Sequence, residues 1–238
     1  MLKEIADCLN KAGITFYLTG GSCIGVLRHK GFIPWDDDID IGIMRSDFDL
    51  AEKALSELDD SMIYSAVENH IIPDAPLGHV FKNEHPLDKA PCIDIFAIDN
   101  VPNGKIAKKY QSFCAKVYHL CVLRRPSENR GKLNHILTSA ICRLPKKTLD
   151  FLQRMAYNGL TRWQHEDTEY VSNVFGVRGE KEVVPKAFFG KPRLEKFEDT
   201  QMPIPEKAEE YMTHIYGDYM AFPPEHERVP LHYADLHN

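Results

Sequence analysis

The 238-residue sequence contains no apolar run approaching the roughly 18–20 residues that a membrane-spanning helix requires. Its N-terminal stretch, MLKEIADCLNKAG, carries charges inside a helical pattern, so it does not read as a signal peptide. Six cysteines are present, at 8, 23, 92, 114, 121 and 142, but no C-x-x-C pair and no paired zinc-ligand spacing. They are expected to be reduced thiols of a cytoplasmic protein, with Cys23 and Cys92 packed as small hydrophobes. His79, His85, His119 and His135 show no i, i+4 pairing, which argues against a histidine metal site. There is no G-x-x-x-x-G-K-[ST] and no G-x-G-x-x-G, so neither a P-loop nor a dinucleotide fingerprint is present. Internal repeats and low-complexity tracts are also missing. Hydrophobic residues at 43% and charged residues at 27% describe an ordinary globular chain.

The net charge of -6 argues against simple nucleic-acid binding, but its distribution is uneven. Residues 1–100 carry a net -10, residues 101–165 a net +11 and residues 166–238 a net -7. At about 150 residues per domain, the length suits a single domain with a helical elaboration. The expected organisation over 1–238 is an acidic core (1–100), a basic helical subdomain (101–165) and a C-terminal portion (166–238) that completes the site.

Hydrophobic periodicity places a helix over Ile5, Leu9 and Ala12, then a buried strand in ITFYLTGG that stops at paired glycines. SCIGVLRHKG fits a short helix ending at Gly31. DIDIGIM alternates as a second strand, followed by a helix with Ser46 as its expected N-cap. Strand-like runs follow at MIYSAV, GHVFKN and CIDIFAI. This order predicts a mixed α/β (α+β) core with flanking helices. In 101–165, Ile106, Tyr110, Phe113, Val117 and Leu120 recur at helical spacing, as do Leu133, Ile136, Leu137 and Ile141, and Leu149, Leu152 and Met155. Two or three amphipathic helices with basic outer faces are expected there. Near the end, Pro205 is expected to open a helix that Gly217 stops.

The chemistry concentrates in LTGGSCIGVLRHKGFIPWDDDIDIGI, residues 18–43. Along a strand, Asp36, Asp38 and Asp40 point to one face and Asp37 to the other, with same-face neighbours roughly 7 Å apart. Three carboxylates on one face repel each other, and a hard divalent cation resolves that repulsion through oxygen ligands. Asp94, in the alternating run CIDIFAID, is a further carboxylate that should meet a metal or a donor. Asp99, beside Asn100 and Pro102, reads as a turn residue. Gly20, Gly21 and Ser22 end a strand and begin a helix, where bare backbone and unpaired N–H groups suit phosphate. Arg28 on the same helix could contact that phosphate in bidentate fashion. Trp35 could stack on a base or a cation, or pack in the core.

The sequence of strand, Gly-Gly-Ser, helix, Asp-x-Asp strand and a third aspartate on a later strand resembles the nucleotidyltransferase fold of the DNA polymerase β type. More narrowly, GGSCIGVLRHKGFIPWDDDIDIGI and CIDIFAID resemble the LicD family of phosphocholine transferases, and IYGDYMAFPPEHERVPLH resembles its terminal motif. The resemblance implies transfer of phosphocholine, or a related phospho-alcohol, from a CDP-activated donor. CDP-choline is the expected donor, with CDP-ribitol used by eukaryotic members. The acceptor would be a hydroxyl of a cell-surface glycan, free or lipid-linked, such as teichoic acid or lipopolysaccharide, and CMP would be released. Carried onto this chain, Asp38, Asp40 and Asp94 are the catalytic and metal-binding carboxylates, with Asp36 supporting the Mg²⁺ (or Mn²⁺). Asp94 is the candidate proton acceptor. Gly20, Gly21, Ser22 and Arg28 would hold donor phosphate, and Tyr216, Gly217, Asp218, Arg228 and His232 would shape the site.

Two other readings stay open at the level of sequence: a nucleotidyltransferase that releases pyrophosphate, and a non-catalytic glycan- or nucleotide-binding module. For the basic segment, the candidates are the donor's phosphates, a lipid-linked acceptor at the inner membrane face, and a merely solvated helical surface.

Overall fold

The structure is a computed structural model that describes residues 1–58, 62–66, 78–82, 92–123, 132–174 and 179–229. Helix α1 (Leu2–Lys11) leads through Gly13 into strand β1 (Phe16–Leu18), and a short helix α2 (Gly20–Ile24) follows. Strand β2 (Ile39–Met44) runs directly into helix α3 (Arg45–Ser56). Strands β3 (Met62–Ala66), β4 (Gly78–Lys82) and β5 (Cys92–Val101) complete the first half.

Their order across the sheet is β1-β2-β5-β4-β3, with β2 and β5 parallel and the other neighbours antiparallel. Strands β6 (Tyr170–Ser172) and β7 (Val183–Pro185) extend the sheet from the far end of β5, so the C-terminal third contributes to it. The expected mixed α/β architecture is present. Leu18, Ile41, Ile43, Ile93 and Ile95 from the central strands meet Ile5 and Leu9 of α1 and Leu55 of α3 in one apolar core. Strict alternation in β2 buries Ile39, Ile41 and Ile43, as their β-branched side chains and spacing predict.

Three details depart from the sequence reading. Asp99 is not a turn residue. It lies fully buried in β5 and accepts two hydrogen bonds from Arg45, at 2.7 and 2.9 Å. Strand β5 is ten residues long and carries Asp99 past the point where its neighbours suggested a turn, beside Arg45, the first residue of α3 after β2 ends at Met44. Burial alone would lower the Arg45 pKa, but the charge and hydrogen bonds of Asp99 outweigh it and raise the pKa. Ser46 does not cap α3. The helix begins at Arg45, and the Ser46 hydroxyl turns to the Asp47 carboxylate at 3.4 Å. Pro205 precedes its helix rather than opening it. Glu206 and Lys207 first donate to the carbonyls of Phe189 and Phe188, and helix α7 starts at Ala208, ending at Tyr216 before Gly217 with φ 75°.

Residues 101–165 form three helices: α4 (Lys105–Leu123), α5 (Lys132–Cys142) and α6 (Lys146–Leu160). Helices α4 and α6 pack closely where Gly159 faces Cys114, and a side-chain carbon at Gly159 would lie 2.5 Å from the Cys114 sulfur. The buried positions of α4 are Gln111, Cys114, Ala115, Tyr118 and Cys121. The apolar stripe read from the sequence therefore does not face the core at its N-terminal end, since Ile106 is 86% exposed and Phe113 63%. Small residues and Gln111 take the inner face instead, with the Gln111 amide donating to the Asn100 and Leu160 carbonyls at 2.7 and 3.2 Å.

The last strands, β8 (Arg193–Phe197) and β9 (Thr200–Ile204), form a separate hairpin packed on β1. Its turn residue Glu198 accepts a hydrogen bond from the Phe32 N–H at 3.0 Å and donates its own N–H to the Lys30 carbonyl at 2.8 Å. The loop leading to Trp35 and the aspartates is thereby fixed.

Candidate active site

The site forms where the parallel strands β2 and β5 begin. Asp40 and Asp94 are direct register partners, so the sheet itself sets two carboxylates side by side. Asp38 lies two residues before Asp40 and reaches the same side. Asp38, Asp40 and Asp94 offer oxygen atoms that all lie within 4.8 Å of one another. Asp36, Asp37 and Asp38 precede the strand rather than belonging to it, so strand alternation applies only from Ile39 onward. Asp36 is not one of the three clustered carboxylates, and it sits against Gly21 beside Arg28.

Burial, then the charges of Asp38, Asp94 and Asp36, push the Asp40 pKa well above the usual carboxylate value, against one hydrogen bond from the Gly21 backbone that lowers it. The group fits a hard divalent cation. It presents three convergent oxygen donors, two of them fixed by strand register, and its electrostatic repulsion is what such an ion relieves.

The Gly-Gly-Ser segment closes one side of this cluster. Gly20 has φ 51°, and a side-chain carbon there would collide with the Asp40 carboxylate. One at Gly21 would lie 2.5 Å from an Asp36 oxygen. Ser22 is buried, and its hydroxyl accepts a hydrogen bond from the Asp40 N–H at 2.9 Å, while the Thr19 N–H donates to the Asp40 carbonyl at 3.0 Å. The segment thus positions Asp40 from two directions.

The helical stretch after α2 widens to a π-turn over Gly25–His29 and ends at Lys30, φ 59°, one residue before the expected Gly31. Its Arg28 is directed toward the C-terminal segment. Arg28 donates through Nη1 to the carbonyls of Tyr219 and Ala221, both at 3.0 Å, and through Nε to His29 at 2.9 Å. Its guanidinium lies 4.8 Å from the Phe222 ring centre and 6.0 Å from that of Trp35. Arg228 approaches the same two rings, at 5.4 and 5.5 Å, and its Nε donates to the Pro223 carbonyl at 2.8 Å. Burial and the nearby positive charge of Arg228 lower the Arg28 pKa, while Asp36 raises it. The cluster joins the two ends of the chain beside the carboxylates.

Of the residues named from sequence, Asp38, Asp40, Asp94, Gly20, Gly21, Ser22, Asp36, Arg28 and Arg228 gather here. Tyr216 and Gly217 end α7, Asp218 is exposed, and His232 lies outside the described residues. Phe222, Tyr219 and the tip of the β8–β9 hairpin escaped the sequence reading. Phe222 and Tyr219 fall within the terminal motif, whose role only becomes legible once Arg28 is seen to hold it.

The mixed sheet thus carries Gly-Gly-Ser just after its first strand and carboxylates on two adjacent parallel strands. Residues 13–120 match the LicD/FKTN/FKRP nucleotidyltransferase domain. The chain is 28% identical to the lipopolysaccharide cholinephosphotransferase LicD of Haemophilus influenzae, over 94% of this chain and 89% of that protein. The ribitol 5-phosphate transferase FKRP of Homo sapiens is 42% identical over 45 residues, 19% of this chain and 9% of FKRP. Among solved structures, ANT(2")-Ia in complex with adenylyl-2"-tobramycin covers 66% of this chain and 95% of its own, at 10% identity and a TM-score of 0.30, a loose likeness.

Proposed function

We propose that this protein is a metal-dependent transferase that moves phosphocholine, or a related phospho-alcohol, from a CDP-activated donor to a hydroxyl of a glycan such as lipopolysaccharide or teichoic acid, releasing CMP. The observation that carries this is the convergence of Asp38, Asp40 and Asp94 beside a glycine edge without side chains and the Arg28–Arg228 pair. The similarity to a LicD cholinephosphotransferase along nearly the whole chain supports the head group, and that relative acts on lipopolysaccharide.

Asp38, Asp40 and Asp94 would hold Mg²⁺ or Mn²⁺, with Asp36 in support. When bound, such an ion neutralises phosphate charge and acidifies a hydroxyl. The residues of this chain do the rest. Gly20 and Gly21, whose missing side chains admit the Asp40 and Asp36 carboxylates, would turn backbone N–H groups toward the donor's phosphates, and Arg28 and Arg228 would supply positive charge next to them. Asp94 accepts the proton of the acceptor hydroxyl at a carboxylate oxygen. The acceptor oxygen forms the new bond to phosphorus, and the bond to CMP breaks with its electrons leaving on CMP. Positioning and charge neutralisation are the main requirements of transfer at phosphorus, and no covalent enzyme intermediate is needed.

The test is incubation with a panel of CDP-alcohols and Mg²⁺, following CMP with and without a glycan acceptor. CMP release that depends on acceptor is expected, and Asp38→Asn and Asp40→Asn are expected to abolish it with unchanged circular dichroism. Pyrophosphate release from a nucleoside triphosphate, or full turnover in either variant, would overturn the proposal.

A further inference from the structure

We propose that the outer face of α4, α5 and α6 is a docking surface for an anionic lipid bilayer. This rests on exposure and charge alone and stands independently of the transfer reaction proposed above.

The first observation is apolar exposure at helical spacing. Ile106 and Phe113 on α4 are 86% and 63% exposed, Ile136 on α5 is 62%, and Phe151 and Met155 on α6 are 59% and 57%. Ile106 and Phe113 lie seven residues apart and Phe151 and Met155 four, so each pair forms one stripe of its helix. Both stripes lie away from the buried positions, which include Cys114, Ala115 and Tyr118 on α4 and Leu149, Ala156 and Leu160 on α6. They point away from the core, not into an unfilled part of it. Large hydrophobes repeated in this way mark an interaction surface.

The second observation is charge. Residues 101–165 hold 13 lysines and arginines against two acidic residues, Glu128 and Asp150, so the segment cannot neutralise itself. Lys105, Lys109 and Lys116 on α4 and Lys147 and Arg154 on α6 are exposed beside the apolar stripes. Helices with aromatic and aliphatic residues on one face and Lys/Arg along its flanks lie in the interface plane of a bilayer. No described helix is long and apolar enough to cross a membrane, so the segment would lie on the surface.

The pairing of the two observations selects the partner. A second copy of this face would bring two strongly positive surfaces together. A nucleic acid would answer the charge but offers no apolar layer for Ile106, Phe113, Phe151 and Met155. An anionic bilayer answers both, with headgroups for the cations and acyl chains for the hydrophobes.

The experiment is co-sedimentation of the full chain with vesicles of phosphatidylcholine alone or mixed with phosphatidylglycerol, at low and high salt. Binding to the mixed vesicles only, weakened by salt, is expected. Each replacement among Lys109→Gln, Lys116→Gln and Arg154→Gln should weaken it about fivefold. The double variant Phe113→Ser with Phe151→Ser should weaken it at least as much while leaving circular dichroism unchanged, because both side chains are already in solvent. Failure to sediment at low salt, equal binding to neutral vesicles, or indifference to both sets of variants overturns the proposal. So does a dimer that the serine variants dissociate without any vesicle binding, or release from vesicles into a complex with added nucleic acid.

Discussion

Asp40 is held among three other carboxylates, under a glycine that can carry no side chain. Its raised pKa is a statement about stability. The folded state binds a proton more tightly than the unfolded state does, so the group destabilises the metal-free fold increasingly as pH rises above the unfolded value of about 4. Asp40→Asn removes a carboxyl whose ionisation burial and neighbouring carboxylates oppose, and retains an oxygen for the Gly21 N–H. The variant should therefore melt higher than the parent in chelator, by about 2–4 °C for each kcal/mol of repulsion relieved. Adding Mg²⁺ should raise the melting temperature of the parent and leave that of the variant nearly unchanged, as read by scanning calorimetry. A parent more stable in chelator than Asp40→Asn would contradict the electrostatic account. At this scale the sequence was informative: four aspartates in five positions are improbable without a shared task. Asp36, though, needed the structure, because the strand begins only at Ile39 and alternation cannot be extended upstream of it.

At the scale of elements, the α4–α6 pair shows what periodicity leaves undecided. The spacing of Ile106, Tyr110 and Phe113 correctly announced a helix. Which side of it would be buried was settled by fit, because Cys114 and Ala115 allow α6 to approach at Gly159 as no larger residues could. Gly159→Ala should accordingly destabilise the protein. Alanine gains up to about 1 kcal/mol in helix propensity, but its methyl group must displace the Cys114 sulfur and the Tyr110 hydroxyl, an overpacking cost of about 1–3 kcal/mol. Urea denaturation would detect the net loss, and a stabilised variant would show that the helices can separate without cost. The same limit applies to Asp99. Its sequence neighbours favoured a turn, and only the length of β5 and the arrival of Arg45 made it half of a buried ion pair.

For the whole molecule, the significant contact joins residue 28 to residues 219–222. Arg28 donates to two carbonyls of the C-terminal segment and faces Phe222, so the stretch that follows α7 is attached beside Asp36. Arg28→Ala should release that segment. Hydrogen exchange across 217–229 should rise while exchange in α3 stays as it was, and Arg28→Lys should not restore protection, since an ammonium cannot donate to both carbonyls, reach His29 through a second nitrogen and lay a planar face on Phe222 at once. Unchanged exchange in Arg28→Ala would mean that Arg228 and the aromatic rings hold the segment by themselves.

The sequence by itself determined the local alternation of β2 and β5, the glycines at 20 and 21, the aspartate series and the charge block at 101–165. Each of these is a property of near neighbours along the chain, and period and composition report such properties directly. Tertiary structure alone decided that Asp94 stands beside Asp40, that Arg45 meets Asp99, that α4 turns the N-terminal end of its apolar stripe outward, and that the C-terminal segment closes on Arg28. Those outcomes depend on strand register and on side-chain volumes meeting across space, and a linear pattern does not contain either quantity.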